Sequence, residues 1–150
     1  MTIQRPPTRT GLPVPVGSVM TPFPVVVRAD TSLEEVAELL AENDLCGLPV
    51  IDAEGTLVGV VSHTDLIRAA VSSGHGARLW SGYTARHVMS RQPVIAHADT
   101  SLVDAARRME LHGIHRLVIV ADDETTPIGV VSVSDLLPIL VDASEVAVRR

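Results

Sequence analysis

Residues 59–66 (GVVSHTDL) and residues 129–136 (GVVSVSDL) are two copies of one pattern, an apolar run that ends in Ser-x-x-Asp-Leu. An apolar run rich in Val is typical of a buried β-strand. A Ser followed three positions later by Asp is typical of a helix start, where side-chain oxygens accept hydrogen bonds from unpaired backbone N–H groups. Each copy therefore predicts a strand that passes directly into a helix.

The repetition extends outward from this pattern. Residues 19–21 (VMT) return as residues 88–90 (VMS), and residues 30–33 (DTSL) return as residues 99–102 with the same spacing. One additional residue, in the turn at 122–127, accounts for the later shift between the copies. Internal repetition of this kind predicts two equivalent structural units.

The repeat sets the expected domain boundaries. Repeat 1 is placed at residues 16–71 and repeat 2 at residues 85–141, with a connecting segment at residues 72–84 that shows no clear repeat. A Pro-rich arm precedes repeat 1 at residues 1–15, and a short tail follows repeat 2 at residues 142–150. The arm is expected to be extended, because its prolines exclude a regular helix.

Local signals predict the same elements in both repeats. Residues 31–34 (TSLE) predict a helix with Thr31 as N-cap, and repeat 2 offers Ser101 with Asp104 for the same purpose. Residues 53–56 (AEGT) predict the turn of a hairpin. Each repeat is therefore predicted to be a β-α-β-β-α unit of the α+β class. Since one such unit cannot cover both faces of its sheet, the two repeats are predicted to pack about a pseudo-two-fold axis.

Composition excludes several classes of function. The chain of 150 residues carries a net charge of −6 and has no long basic run, which argues against binding to nucleic acid or to an anionic membrane surface. All twelve cationic side chains are Arg, so a Schiff-base lysine and a Walker phosphate loop are excluded. With a single Cys46, no signal peptide and no apolar run of spanning length, the cytoplasm is the expected compartment.

Catalytic and metal-binding motifs are also missing from the sequence. His112 and His115 have the i, i+3 spacing of two ligands on a helix, but Gly113 is expected to end that helix, and a third ligand is not evident. Cys46 has no predicted neighbouring charge that would activate its thiol. We therefore predict no enzymatic activity, no metal site and no obligatory cofactor.

The ordered motifs resemble those of the cystathionine-β-synthase (CBS) domain: Val-Met-Thr before a proline-marked strand, Asp-Thr-Ser-Leu at a helix start, Leu-Pro-Val-Ile-Asp, and Gly-Val-Val-Ser-x-x-Asp-Leu. Their tandem arrangement over residues 16–141 resembles the CBS pair, or Bateman module. This resemblance implies two clefts between the repeats that bind adenosine compounds, a homodimer, and a regulatory role.

The resemblance also implies candidate ligand-binding residues. It assigns the carboxylates of Asp65 and Asp135 to a ribose, with nearby hydroxyls beside them, those of Ser62, Thr64, Ser132 and Ser134. Independently of the resemblance, a helix start suits a phosphate because its N–H groups are unpaired and carry partial positive charge. The alternative is that each Ser-x-x-Asp only caps its helix, and spacing alone leaves both interpretations open.

Repeat 2 has a further candidate in His115 and Arg116, since several nucleotide-binding CBS domains place His-Arg before a core strand to reach phosphate. Repeat 1 has Cys46 and Gly47 there, so the two clefts are predicted to be unequal. The alternative for Arg116 is a surface ion pair. Val94 is expected to line an adenine slot, as are Val25, Leu48 and Ile119, although such residues are more often core.

The main hypothesis is a regulatory module that binds an adenine nucleotide of the AMP, ADP or ATP class and relays the binding through a homodimer to an unidentified protein partner. Two alternatives stay open: a ligand-free dimeric scaffold for protein interaction, and a sensor of S-adenosylmethionine.

Overall fold

A computed structural model describes residues 14–22, 25–45, 47–73, 80 and 82–148, without the side chains of residues 73 and 142–148. Most of the predicted N-terminal arm, much of the connecting segment and Cys46 lie outside the described residues. Among the helices of the described part, none has the length and apolar character needed to cross a bilayer.

The elements follow one another twice in similar order. The first series comprises a 3₁₀ helix (Val16–Ser18), β1 (Thr21–Pro22), β2 (Val27–Arg28), α1 (Leu33–Glu42), β3 (Gly47–Ile51), β4 (Leu57–Ser62) and α2 (His63–Ser73). The second comprises α3 (Ala85–Val88), β5 (Ser90–Arg91), β6 (Ile95–His97), α4 (Leu102–His112), β7 (Arg116–Val120), β8 (Pro127–Ser132) and α5 (Val133–Val148). The mixed α and β class predicted from the sequence is confirmed.

The chain forms two compact units whose limits differ from those of the repeats. The first unit comprises residues 24–93, and the second comprises residues 94–150 together with residues 1–23. The first unit contains a sheet in the order β2-β3-β4-β5, and the second contains a sheet in the order β1-β8-β7-β6. Strand β1, at the start of repeat 1, thus belongs to the second unit, and strand β5, at the start of repeat 2, belongs to the first unit.

Strand directions are the same in the two sheets. In the first unit β2 is parallel to β3, while β3, β4 and β5 are antiparallel in succession. In the second unit β6 is parallel to β7, while β7, β8 and β1 are antiparallel in succession. The central hairpins share a register, since Leu48 lies opposite Val61 and Leu117 lies opposite Val131.

Each unit has its own aliphatic core at equivalent positions. In the first unit the fully buried side chains include Leu33, Leu48, Val50 and Val61. In the second unit their counterparts are Leu102, Leu117, Ile119 and Val131, also fully buried. Burial of each such side chain contributes about 1.5–3 kcal/mol, so these two cores are the main source of each unit's stability.

The short edge strands are held by a Met packed over a Gly. Met89, just before β5, covers Gly59 of β4, and a Cβ atom at Gly59 would lie 2.7 Å from the Met89 Sδ and 2.7 Å from the Ser90 carbonyl oxygen. Met20, just before β1, covers Gly129 of β8 in the same way. In each unit, the Met of a Val-Met motif therefore packs against the Gly of a Gly-Val-Val motif.

The helix starts confirm one sequence prediction and correct another. Ser101 is the N-cap of α4, and its Oγ accepts from the Asp104 N–H at 3.1 Å, as predicted. The prediction of Thr31 as the N-cap of α1 was wrong by one residue, because Ser32 caps the helix and accepts from the Glu35 N–H. The Thr31 hydroxyl instead accepts from the Arg28 N–H at 3.2 Å, within the preceding turn.

Candidate ligand site at the strand to helix corners

The sheet of the second unit brings the candidate residues of repeat 2 to one edge. Strands β6 and β7 are parallel and begin at the same edge, where the antiparallel β8 ends and α5 begins. Arg116 lies directly opposite Ser132 in the β7 and β8 register. Val94, which precedes β6, and His115, which precedes β7, belong to the same edge. We call this edge the repeat 2 corner.

A reciprocal cap holds the start of α5. The Asp135 Oδ2 accepts from the Ser132 N–H at 2.8 Å and from the Ser132 hydroxyl at 3.1 Å. The Ser132 Oγ in turn accepts from the Asp135 N–H at 3.3 Å. Within the part of the chain that the structure describes, no hydrogen bond or ion pair is found at the Asp135 Oδ1. Helix capping therefore uses one oxygen of this carboxylate.

The repeat 1 corner, formed by the starts of β2 and β3, the end of β4 and the start of α2, has the same cap. The Asp65 Oδ2 accepts from the Ser62 N–H at 2.8 Å and from the Ser62 hydroxyl at 3.0 Å. Here, however, the Asp65 Oδ1 lies 3.3 Å from the Arg68 Nη1. Both oxygens of Asp65 therefore have partners within the chain.

The hydroxyl groups at the second helical position also differ in their surroundings. Thr64 and Ser134 are both exposed. The Thr64 Oγ1 lies 3.3 Å from the His63 Nδ1. In repeat 2 the residue at the place of His63 is Val133, which offers no polar side-chain atom. Among the described residues, the Thr64 hydroxyl therefore has a neighbouring side-chain partner that the Ser134 hydroxyl lacks.

An imidazole and a guanidinium are present at the repeat 2 corner, from His115 and Arg116. His115 is exposed, and its carbonyl oxygen accepts from the Val133 N–H at 2.9 Å, which joins the start of β7 to the start of α5. Arg116 is partly buried. At the place of Arg116, the repeat 1 corner has Gly47, opposite Ser62. The predicted inequality therefore has a geometric counterpart, although the role of these residues stays a prediction.

The apolar candidates divide into two groups. Leu48 and Ile119 are fully buried in the cores of their units, so packing accounts for them. Val25 and Val94 are only partly buried against those cores, next to the corners. An aliphatic wall for a purine is therefore available from Val94 in repeat 2 and from Val25 in repeat 1.

The repeat 2 corner has groups that suit a nucleoside phosphate, namely a carboxylate oxygen for hydroxyls, the Arg116 guanidinium for phosphate and an aliphatic wall. The described residues contain no cluster of three His, Cys, Asp or Glu side chains that would hold a metal ion. Gly113 ends α4 in the left-handed conformation, as expected, so His112 and His115 do not share one helix.

Sequence reasoning missed Arg68 as a partner of Asp65. The signal was present, because charges of opposite sign at i and i+3 on a helix lie on the same face. It also missed the two edge strands and α3, whose lengths of two, two and four residues leave no periodic pattern.

A family model for the CBS domain matches this chain twice, at residues 16–72 and residues 85–142. The uncharacterized protein MJ1426 of Methanocaldococcus jannaschii is 29% identical, and the match covers 79% of this chain and 86% of that protein. Several other curated relatives are longer, and the chain spans about a quarter of their length.

Solved structures with the same fold cover most of the chain. The CBS domain of a CBS domain-containing membrane protein from Sphaerobacter thermophilus is 30% identical and covers 89% of this chain and 91% of its own, with a TM-score of 0.75. The structure of CBSX2, a protein of Arabidopsis thaliana, in complex with AMP is 30% identical and covers 91% of this chain and 99% of its own, with a TM-score of 0.73.

Proposed function

The chain belongs to the CBS domain family, with two repeats of that domain, and on this premise we propose that it is a non-catalytic regulatory module that binds an adenine nucleotide at the repeat 2 corner. The family's fold is that of a regulatory module, and CBSX2 was solved in complex with AMP. The proposal extends that class of ligand to this chain.

The main observation behind the proposal is that the helix cap uses only one of the two oxygens of the Asp135 carboxylate. Its Oδ2 caps α5, while its Oδ1 accepts no hydrogen bond from the described residues. A carboxylate oxygen in this position accepts hydrogen bonds from the two hydroxyls of a ribose. A ligand that binds Oδ1 therefore leaves the helix cap at Oδ2 intact.

The phosphate of the ligand is assigned to Arg116 and His115, at the start of β7. Arg forms paired hydrogen bonds with phosphate oxygens, and the exposed Ser134 supplies a hydroxyl donor nearby, while the Ser132 hydroxyl already donates to the Asp135 Oδ2. The adenine ring is assigned to the aliphatic wall that includes Val94. The chain contains one Phe, one Tyr and one Trp, so aliphatic contact is the available mode for most of the ring surface.

Ligand binding is measured first by thermal unfolding and calorimetry with AMP, ADP, ATP and S-adenosylmethionine. A ligand present at a hundredfold excess over its Kd should raise the free energy of unfolding by about 2.7 kcal/mol. If none of these compounds stabilises the protein or gives a binding isotherm, the proposal is wrong.

Asp135→Asn separates the ligand role from the capping role. The Asn carbonyl oxygen can still accept from Ser132, so the cap and the stability are largely kept, while the second acceptor becomes a donor. Loss of a hydrogen bond to a charged group costs about 1.5–3 kcal/mol, so AMP affinity should fall roughly 10- to 150-fold. Asp104→Asn, at the start of α4 and away from the corner, is the matched control and should bind AMP as the original chain does.

Arg116→Gln tests the phosphate assignment. The variant should weaken AMP more than adenosine, because adenosine has no phosphate for Arg116 to bind. S-adenosylmethionine has no phosphate but carries a carboxylate that Arg also binds, so the comparison of AMP with adenosine is the decisive one. Equal weakening of AMP and adenosine would contradict the assignment.

The relay is proposed to act through a homodimer that uses apolar side chains on α5. Val133, Leu137 and Val141 lie on one side of α5 at i, i+4 and i+8, and they are 38%, 53% and 45% exposed. Beside them an open groove of about 390 Å³ runs between α4 and α5, lined largely by apolar residues that include Met109, Ile114 and Leu140. A ligand shifts such a dimer only if it binds one arrangement more tightly than another.

The same exposed surface favours the second candidate, a ligand-free scaffold for protein interaction, because contiguous exposed apolar side chains mark interaction sites. The scaffold predicts an intact dimer that binds none of the four compounds. A dimer that binds AMP through Asp135 would rule against it.

A further inference from the structure

We propose that Arg68 adds to the difference between the two corners by pairing with the carboxylate that a ligand would use in repeat 1. The inference rests on the proposed function and concerns the selection between the two corners. It predicts that a nucleotide fills the repeat 2 corner first and that the repeat 1 corner is restrained by the chain's own side chain.

Arg68 pairs with the oxygen of Asp65 that a ligand would use. The Arg68 Nη1 lies 3.3 Å from the Asp65 Oδ1, the oxygen that the helix cap does not use. The Asp65 side chain is 13% exposed, while the Arg68 side chain is 69% exposed. Arg68 therefore lies on the solvent side of a largely covered carboxylate, on the same helix face.

Repeat 2 has no cation at the equivalent place. The residue there is Pro138, which has no hydrogen-bond donor on its side chain. The cap at Asp135 matches that at Asp65 in both of its distances to within 0.1 Å. The two caps are thus alike, and the two Asp side chains differ in the partner of the remaining carboxylate oxygen.

The expected effect is moderate, because an exposed pair of this kind changes an equilibrium constant by up to about fivefold. A ribose hydroxyl competes with the guanidinium for Oδ1, so removal of Arg68 should strengthen binding at the repeat 1 corner by up to that factor. Higher salt should reduce the difference, since it screens an exposed ion pair.

The test uses AMP with the variants Asp135→Asn and Asp135→Asn/Arg68→Ala. The first substitution weakens the repeat 2 corner, so that the remaining binding reports on repeat 1. The indole N–H of Trp80, the single Trp of the chain, donates to the Leu66 carbonyl oxygen at 3.0 Å, next to Asp65. Trp80 fluorescence therefore reports on binding at the repeat 1 corner, while calorimetry gives the total number of binding sites.

Arg107→Ala is the matched control. Arg107 pairs with Asp104 at the same 3.3 Å distance and the same i, i+3 spacing, at the start of α4. We expect Arg68→Ala to strengthen the Trp80-reported binding by up to about fivefold, and Arg107→Ala to leave it unchanged.

The reciprocal change places a cation in repeat 2. Pro138→Arg should weaken AMP binding there, whereas Pro138→Ala, which makes the same change to the helix backbone without a charge, should not. The inference is overturned if the original chain binds two AMP molecules with equal affinity, or if Arg68→Ala leaves repeat 1 binding unchanged or weaker. In those outcomes AMP still binds and the proposed function stands, whereas no binding of AMP, ADP, ATP or S-adenosylmethionine by the original chain overturns both.

Discussion

Single Asp side chains hold the hairpin turns in place. The Asp52 Oδ1 accepts from the N–H groups of Glu54 and Thr56, both at 2.9 Å. In the longer turn of repeat 2 the Asp123 Oδ1 accepts from the N–H groups of Thr125 and Thr126, and its Oδ2 accepts from the Thr126 hydroxyl at 2.6 Å. One carboxylate thus replaces the backbone partners that a tight turn lacks.

The Asp123 carboxylate should make the free energy of unfolding depend on pH in the acid range. The hydrogen bond from the Thr126 hydroxyl, followed by the backbone N–H groups, lowers the pKa of Asp123 from 3.8 to about 2. A lowered pKa means that its contribution to folding is complete above the unfolded value of 3.8 and is lost as the pH falls toward about 2.

Asp123→Asn tests this dependence, since Asn does not titrate. The difference in unfolding free energy between the original chain and the variant should be constant at neutral pH and should shrink between about pH 4 and about pH 2, as measured by denaturant unfolding. Thr126→Val, which removes the first of the hydrogen bonds, should shift the acid dependence toward higher pH. Parallel stability curves for the original chain and Asp123→Asn over that range would contradict the assignment.

At the scale of the elements, the two repeats use the same local devices with small differences. The N-caps Ser32 and Ser101 lie at equivalent positions, although only the second was placed correctly from the sequence. The error arose because Thr31 and Ser32 are adjacent and both are good N-caps, and Thr31 instead accepts from the preceding turn. Helix existence was therefore a safer prediction than the exact first residue.

The Met-over-Gly contact is what allows each edge strand to approach its sheet. Gly59→Ala should lower the free energy of unfolding by about 1–3 kcal/mol, because the new Cβ would overlap Met89 and the Ser90 carbonyl oxygen. The measurement is urea unfolding. The double variant Gly59→Ala/Met89→Ala should recover part of the loss relative to Met89→Ala alone, through relief of the side-chain overlap. Strict additivity of the two substitutions would show that Met89 is not the cause.

At the scale of the whole molecule, the chain is organised so that neither unit is made from one repeat alone. The second unit takes β1 from the first residues of repeat 1, and the first unit takes β5 from the first residues of repeat 2. Division of the chain at the sequence boundary between the repeats would therefore leave both sheets without an edge strand.

The proposed homodimer is tested by the mass of the protein in solution. Leu137→Glu places a charge at the centre of the exposed row on α5, so it should convert a dimer into a monomer, as measured by light scattering with size-exclusion chromatography. Leu137→Met, which keeps an apolar side chain of similar volume, is the control and should keep the dimer. A monomeric original chain, or a Leu137→Glu variant that remains dimeric, would contradict this role for α5.

The sequence was sufficient to predict the two repeats, their longer helices and their hairpins, while the ligand-binding role of the corner residues stays a prediction. These features depend on neighbours only a few positions apart: Ser101 caps its own helix, Gly113 ends it, and the turn at residues 53–56 joins two adjacent strands. Such features follow from local chemistry and do not require a particular long-range contact.

The pairing of the edge strands and the partner of each carboxylate required the folded chain. β1 pairs with β8, and β5 pairs with β4. Strands of two residues are too short for their sequence pattern to predict which strand they pair with. Asp65 and Asp135 look alike in the sequence, yet Arg68 folds back onto only one of them. Both outcomes depend on which atoms meet in space, and the packing of distant segments settles that.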